Sequence, residues 1–346
     1  KKYRWTSNME IFQVGGSVRD ELMGVQPKDR DWVVINSSPE EMEKNGFKPI
    51  GKDFPVFLHP NTNEEYALAR TEKKSGVGYK GFEFYFDSNV TLEQDLKRRD
   101  FTINSIAKDK NGNIIDPFYG QLDIEKKIFR HTSSAFIEDP LRVIRFARFK
   151  SYNQLCDFEL CSETIDCFKK VVNAGELKEL SPQRVWIETK KALENKHSDR
   201  FFDAIIKYRL IDPWFKKLNQ VSCDGSSPEL KWADIQRIND FQLSDLLPIP
   251  NSFQKTQDLL RQVLDLFQSK KIQERLELIE KMNIHRNIKI LEEIKNYRCL
   301  QNNKNYLEEI FKSVLEIDFS TLANIPASEV SQKKQFLYHE TLKGIL

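Results

Sequence analysis

The apolar residues of this chain change their period near residue 131, and that change constrains the fold more than any other feature. From about Glu10 to Arg130 the short runs IFQV, DWVVIN, PVFLHP, EEYALAR and FEFYF are separated by the turn-rich stretches GGS, NSSPEE, HPNTNEE and GVGYKG. Runs of that length and composition are strand signals, so this half predicts a mixed sheet with flanking helices. Within it, TLEQDLKRRDFTINSIA (Thr91 to Ala107) has the length and apolar spacing of a helix. KKSGVGYKGFE, rich in glycine and lysine, reads as a mobile loop. After about His131 the strands stop. EDPLRVIRFARF, SETIDCFKKVVN, SPQRVWIETKKALEN and RFFDAIIKYRLI each carry a 3.6-residue apolar stripe, and Ser181 with Pro182 makes a helix start of N-cap and first-turn proline. Loops are expected over Asn219 to Asn251, around SCDGSSPE and LLPIPNS, followed by two or three more amphipathic helices from about Phe253. The chain is therefore expected to be an α/β N-terminal part followed by an all-α part, without internal repeats or low-complexity tracts.

A length of 346 residues has room for two or three domains, and the 31% charged and 39% hydrophobic content is that of a folded chain. The formal net charge of +2 excludes a uniformly basic nucleic-acid coat but leaves room for a local basic groove. Cys156, Cys161, Cys167, Cys223 and Cys299 are odd in number and have no CxxC spacing, which argues against a zinc site and a disulfide framework and for reduced thiols. No apolar run approaches the ~18–20 residues of a membrane span, and KKYRWTSN has no signal-peptide core. A cytoplasmic protein is expected. Met9 stands where a native start would be natural, so residues 1–8 read either as native sequence or as an expression remnant.

The chemistry is concentrated in a few stretches. In GGSVRD, Gly15 and Gly16 follow the strand IFQV, so backbone amides can approach a polyphosphate closely and Arg19 can add a charge-assisted contact. A plain strand-to-helix turn is the alternative. In DRD, Asp29 and Asp31 sit two apart, and on an extended segment both point to one face while Arg30 points away. Two carboxylates on one face repel unless a cation lies between them, and a hard-oxygen pair without cysteine or histidine suits magnesium bridging to substrate phosphates. A solvated turn is the alternative for the DxD alone, but the upstream glycines favour a two-metal phosphoryl-transfer site.

In RRDFTINSIA, Arg98 and Arg99 could supply cations to a triphosphate or belong to an exposed, salt-bridged helix face. In EDPLRVIRFARF, Asp139, Arg142, Arg145 and Arg148 recur every three residues along one side of a helix, with Leu141, Ile144 and Phe149 packing elsewhere. Arginines so close repel, which suits an anionic or planar partner. A guanidinium and a carboxylate together can read the edge of a nucleobase. A solvated basic face is the alternative.

GGSVRD, the DRD pair, RRDFTINSIA, DPFYG, EDPLR and SPQRVW, in this order and at these distances, resemble the class II tRNA nucleotidyltransferases, the CCA-adding enzymes, and their relatives the bacterial poly(A) polymerases. The agreement covers about residues 10 to 200. It implies a polymerase-beta-like nucleotidyltransferase head over residues 1–130, a helical neck with base recognition over 131–200, and a helical body and tail over 201–346 that binds tRNA. By this resemblance Asp29 and Asp31 are the catalytic Mg2+ ligands that align an RNA 3′-hydroxyl for attack on the α-phosphate, with pyrophosphate leaving. Gly15, Gly16, Arg19 and Arg99 hold the triphosphate, Asp139 and Arg142 read the incoming base, and Arg145 and Arg148 lie nearby for phosphate or base contacts. The expected partners are the acceptor arm and 3′ end of tRNA, with CTP and ATP as substrates, no membrane, and a monomeric state.

KDRDWVV, GKDFPVFLHP, EEYALARTEKKSG and DLKRRD look like the gamma-proteobacterial type of CCA-adding enzyme, which favours CCA addition over poly(A) synthesis or partial (CC- or A-only) addition. Enzymes of that type usually carry a C-terminal phosphohydrolase domain with His-Asp pairs. Here His59, His131, His197, His285 and His339 are never followed by Asp, so phosphatase activity is not expected. Lysine-bearing helices such as QSKKIQERLELIEK read equally as tRNA phosphate contacts or as solvated faces. An RNA-binding protein without catalysis would be expected to have lost the carboxylate pair or the glycine cradle. A transferase acting on a protein or small molecule would have less need of Asp139 and Arg142.

Overall fold

The computed structural model describes residues 9–50, 56–74, 82–85 and 88–346; the side chains of 72–74, 82–85 and 324 are outside the description. Residues 1–8, and 75–81 of the expected lysine-rich loop, lie outside the described residues. The chain divides into two compact units, Lys1–Trp214 and Phe215–Leu346.

The first unit begins with β1 (Glu10–Val14), α1 (Gly16–Leu22), β2 (Asp31–Ile35), α2 (Pro39–Lys44), β3 (Lys48–Ile50), β4 (Val56–Leu58), β5 (Glu65–Leu68), β6 (Thr71–Lys74), β7 (Phe82–Tyr85), α3 (Leu92–Lys97), β8 (Ala107–Lys108), β9 (Ile114–Ile115), α4 (Gly120–Glu125) and β10 (Ile128–Phe129). Seven strands form one sheet in the order β3-β4-β5-β2-β1-β8-β9, while β6 and β7 pair separately as an antiparallel ribbon. β1 and β2 are antiparallel, and β2 and β5 parallel. The continuous apolar run of β2 has a physical reason. Val33 packs with Phe12, Val14 and Leu96 on one side of the sheet, and Val34 with Met42, Phe47 and Leu68 in a second cluster. A strand covered on both faces needs apolar residues at successive positions rather than alternate ones.

Helices then take over: α5 (Leu141–Lys150), α6 (Ser162–Asn173), α7 (Pro182–Leu193) and α8 (Ser198–Lys207), interrupted by the two-residue strand β11 (Glu159–Leu160). Ser181 accepts from the Arg184 amide, the N-cap expected at the start of α7. Their core is a cluster of rings: Phe101, Phe129, Phe136, Phe146, Phe149, Phe158 and Phe168, with neighbouring centroids 5.1–6.3 Å apart. Strands do not stop entirely at residue 131, because β11 pairs in parallel with β10. The boundary expected at 200/201 would cut through α8. That helix packs on α5, so the unit runs on to Trp214.

The helix expected over Thr91–Ala107 ends early. Thr91 and Gln94 form a reciprocal capping box and the helix closes at Lys97. Beyond it, polar side chains claim the backbone: Asp100 Oδ1 accepts from the Phe101 amide at 2.8 Å, and Ser105 Oγ donates to the Phe101 carbonyl at 3.0 Å. Phe101 forms a β-bridge with His131. These local bonds compete with helical ones, and a short 3-10 turn at Thr102–Asn104 is what remains.

The second unit contains α9 (Pro228–Ile238), α10 (Asn251–Gln268), α11 (Ile272–Met282), α12 (Ile284–Lys295), α13 (Lys304–Leu315) and α14 (Ala327–Leu342). More of it is helical than the expected two or three helices. α9 lies inside the stretch expected to be loop, and its start is written in SSPE: Ser227 caps the Leu230 amide and Pro228 occupies the first position. Leu259, Leu260, Val263, Ile279, Leu291, Ile294, Leu307, Ile310 and Val314 fill the core. A carboxylate is buried with them. Asp234 accepts from Ser222 Oγ, the Asp224 amide, Arg237 and the Tyr297 hydroxyl, and burial together with that carboxylate pushes the Tyr297 hydroxyl pKa up.

Candidate active site

Pairing register brings the glycine turn and the carboxylates together. Val14, the last residue of β1, lies opposite Asp31, the first residue of β2. Gly15 and Gly16 therefore leave one strand where Asp31 enters its neighbour, although the sequence separates them by a helix and a loop. Asp29 is not on the strand as expected but in the bend just before it, and both carboxylates are exposed. Glu65, opposite Asp31 on β5, opens onto the same cleft.

That cleft has a volume of about 1290 Å3. Its lining includes every residue singled out from the sequence: Gly15, Gly16, Arg19, Asp29, Asp31, Arg99, Asp139, Arg142, Arg145 and Arg148. The cationic groups are not loose. Each is held by an acceptor inside the fold.

Gly15 is explained by a guanidinium group. Gly15 has φ +74°, and a methyl there would come within 2.9 Å of Arg99 Nη1. A methyl on Gly16 would lie 3.4 Å from Arg19 Nη2. Bare backbone at Gly15, in a conformation side chains rarely adopt, thus lets Arg99 approach the turn, while a methyl on Gly16 would meet Arg19 at ordinary contact distance. Arg19 is buried and donates to Asp20 Oδ1 and to Asn104 Oδ1, at 2.7 and 2.5 Å. Asn104 donates onward to Asp100 Oδ1 at 2.9 Å, and Asp100 Oδ2 accepts from Arg145 Nε at 2.8 Å. A relay of four side chains thus joins α1 to α5.

Arg98 and Arg99, which could have been an exposed salt-bridged face, instead share Asp95. Its fully buried carboxylate accepts from Arg98 Nη2 at 2.7 Å, from Arg99 Nη2 at 3.1 Å and from the Arg70 amide at 3.3 Å. Burial alone would raise the pKa of Asp95, but Arg98 and Arg99 hold it down to about 2. Asp100 is likewise raised by burial and held at about 2 by Arg145 and the bond from Asn104. The network also pushes the pKa of Arg145 up, against its burial.

The arginine row of α5 differs from its sequence reading. Arg142 was expected to read a base beside Asp139, but its Nη1 donates to the Ala135 carbonyl at 2.7 Å and its Nη2 to the Arg98 carbonyl at 2.6 Å. Arg148 is buried, donating to Glu188 and to the Tyr152 hydroxyl. A guanidinium next to a one-turn break in the chain finds unpaired carbonyls, and burial makes it take them. The group that meets Asp139 is Arg184 of α7, whose Nη1 and Nη2 donate to the two carboxylate oxygens at 3.2 and 2.9 Å. Arg184, Asp95, Glu188 and Phe149 had no assigned part in the site. Arg184 sits in the quoted SPQRVW stretch, where only the helix start was legible.

Asp29 and Asp31 contrast with all of these. Among the described residues neither side chain has a hydrogen-bond or ion-pair partner. Two exposed, unpartnered carboxylates beside a wall of arginines are oxygen donors available to a hard divalent cation, which would draw its remaining ligands from water and phosphate.

Residues 11–130 match the poly A polymerase head domain, and residues 157–221 match the probable RNA and SrmB-binding site of polymerase A. The chain is 52% identical over 202 residues to a CCA-adding enzyme of Coxiella burnetii, covering 58% of this chain and 53% of that protein. It is also 52% identical over 197 residues to a multifunctional CCA protein of Aliivibrio salmonicida, covering 57% and 48%. It spans about half the length of these curated relatives. The fold matches the Bacillus stearothermophilus CCA-adding enzyme in complex with CTP, with a TM-score of 0.73 at 22% identity, over 97% of this chain and 89% of that one. The Thermotoga maritima CCA-adding enzyme complexed with tRNA matches at 0.53 and 18% identity, over 98% and 92%. Over residues 11–221 the chain is thus similar to CCA-adding enzymes and to the polymerase A head and RNA-binding regions.

Proposed function

We propose that this protein adds the 3′-terminal CCA to tRNA from CTP and ATP in the cytoplasm, releasing pyrophosphate and using side chains instead of a nucleic-acid template. The observation that carries the reading is the juxtaposition of unpartnered Asp29 and Asp31 with the guanidinium-backed glycine turn and with Asp139 in one cleft. Magnesium bound at Asp29 and Asp31 would lower the pKa of the RNA 3′-hydroxyl and neutralise charge building on the α-phosphate. Arg19 and Arg99, held against Gly15 and Gly16, bind the triphosphate and orient the departing pyrophosphate in line with the attacking oxygen. Asp139 accepts from an exocyclic amine, which C and A both offer and which U and the Watson–Crick face of G replace with a carbonyl. Arg184 fixes the orientation of that carboxylate, and Arg142 braces the backbone around it. Arg145 and Arg148 add positive potential to the same wall. A head over residues 1–130, a neck from 131 that runs on to Trp214 and a body over Phe215–Leu346 go with this reading, and so do tRNA contacts from the helices of the second unit.

The test is incubation with magnesium and a tRNA lacking its CCA end, with CTP alone, ATP alone and both, followed by sequencing of the product ends. One complete CCA and no more is the expected result. Long A tails make the protein a poly(A) polymerase, and arrest at CC makes it a partial enzyme. No addition at all defeats the reading.

A further inference from the structure

Three guanidinium groups that line the cleft converge on one side chain. The Cζ atoms of Arg148, Arg145 and Arg19 lie 4.4, 5.5 and 5.7 Å from the centroid of the Phe149 ring. Arg19 comes from α1, the other two from α5. Arg19 and Arg145 are also the two ends of the relay through Asn104 and Asp100. The relay therefore closes into a ring of interactions with Phe149 completing it. Phe149 is itself held by other rings: it stacks on Phe129 at 6.2 Å and 18°, and meets Phe101 and Tyr152 edge-on at 6.1 and 5.8 Å. It is buried, yet it lines the cleft.

We propose that Phe149 is a positioning residue for the incoming nucleotide, its π face holding Arg19, Arg145 and Arg148 together beside the carboxylates that already pair with them, Asp20, Asp100 and Glu188. Three like charges at this spacing repel, and carboxylates beyond Asp20, Asp100 and Glu188 would cancel what remains of the field that a triphosphate needs. An aromatic face attracts cations through its quadrupole and carries no net charge, so it gathers the guanidinium groups while leaving their attraction for an anion intact. The inference rests on the proposed reading that the anion is a nucleoside triphosphate. It adds to that reading a residue that touches neither substrate nor metal.

The experiment compares wild type, Phe149→Leu and Phe149→Tyr by CTP and ATP titration in magnesium, by steady-state addition to a tRNA ending in CC, and by thermal melting. Leucine keeps an apolar side chain but has no π face, whereas tyrosine keeps the face. Phe149→Leu is expected to weaken nucleotide affinity and raise KM about tenfold with kcat within about twofold, and Phe149→Tyr to stay within about twofold of wild type throughout. Adding Phe149→Leu to Arg19→Lys should cost less than the product of the two single effects, because both act on one contact. Unchanged nucleotide affinity in Phe149→Leu overturns the proposal. So does a tyrosine variant as impaired as the leucine one with matching losses in melting temperature, which would mean packing alone. Should Phe149→Leu not fold, Phe149→Met carries the same comparison. A wild-type protein that binds nucleotide but transfers none overturns the proposed reaction, while the affinities still decide the role of Phe149. One that binds no nucleotide overturns both.

Discussion

The two units use buried charge in opposite ways. In Lys1–Trp214 carboxylates are spread through the wall of the cleft, Asp95 behind Arg98 and Arg99, Asp100 behind Arg145, Glu188 behind Arg148, and each fixes a guanidinium that lines the cleft. In Phe215–Leu346 the buried carboxylate Asp234 gathers Ser222, Asp224, Arg237 and Tyr297 around itself, with an apolar helical core beyond. The first arrangement presents charge for a ligand, the second uses it to close a loop onto a helix. Ion pairs of similar length thus do different work, and what distinguishes them is whether the cation has a cleft on its other side.

The largest effect should come from the carboxylates that join no network. Asp31→Ala or Asp29→Ala is expected to lower nucleotide addition by at least about a thousandfold, since the loss of a metal ligand removes several kcal/mol of transition-state stabilisation. Melting temperature should not change, because both side chains are exposed and unpartnered among the described residues. Normal turnover in either variant would remove the catalytic half of the contrast.

Next is Asp95→Asn. It leaves Arg98 and Arg99 without their buried counter-charge and is expected to destabilise the first unit by roughly 3–5 kcal/mol, read from urea unfolding. Nucleotide KM should rise at the same time. A pH series sharpens the point. Asp95 and Asp100 have folded-state pKa values of about 2 against an ordinary 3.8. The unfolded chain therefore takes up protons first as the pH drops. The stability these groups contribute is fully present above about pH 4 and is lost as the pH falls towards 2. Acid unfolding of the first unit that is unchanged in Asp95→Asn would contradict this assignment.

The smallest effect on function is expected from Asp234→Asn. Stability of the second unit should drop by about 1–3 kcal/mol, because several donors lose their charged acceptor, while KM for CTP and ATP stays at the wild-type value. A shift in nucleotide KM would break the division between the two uses of charge.

How much of this was legible in the sequence follows the same division. The sheet could be read from IFQV and DWVVIN, and the residues that meet in the cleft from GGSVRD, DRD and EDPLR, because strand period, glycine pairs and charge spacing are local properties. The end of α3 was not legible, since Asp100 and Ser105 redirect the backbone only where the surrounding core buries Phe101. Nor was the role of Asp95: from spacing alone, an aspartate three and four residues before two arginines reads as a surface ion pair, and only its burial turns it into an anchor. Arg142 and Arg184 were indistinguishable as letters. Which of them meets Asp139 depends on the packing of α7 beside α5.

The register that sets Val14 against Asp31 has a consequence for how such a site tolerates length variation. The distance in space between the glycine turn and the carboxylate is fixed by the ladder between two strands, whereas the distance along the chain is set by the helix and loop of residues 16–30. Those two distances are uncoupled. Residues inserted after Gly24, where φ is +72° and no neighbour lies within 4 Å of an added side chain, lengthen the detour without moving either end of it. A single residue inserted within EIFQV or DWVVI would turn the paired faces over and carry Asp31 away from the turn. The spacing from glycines to carboxylates is therefore elastic, while the strands that flank it behave as a fixed gauge.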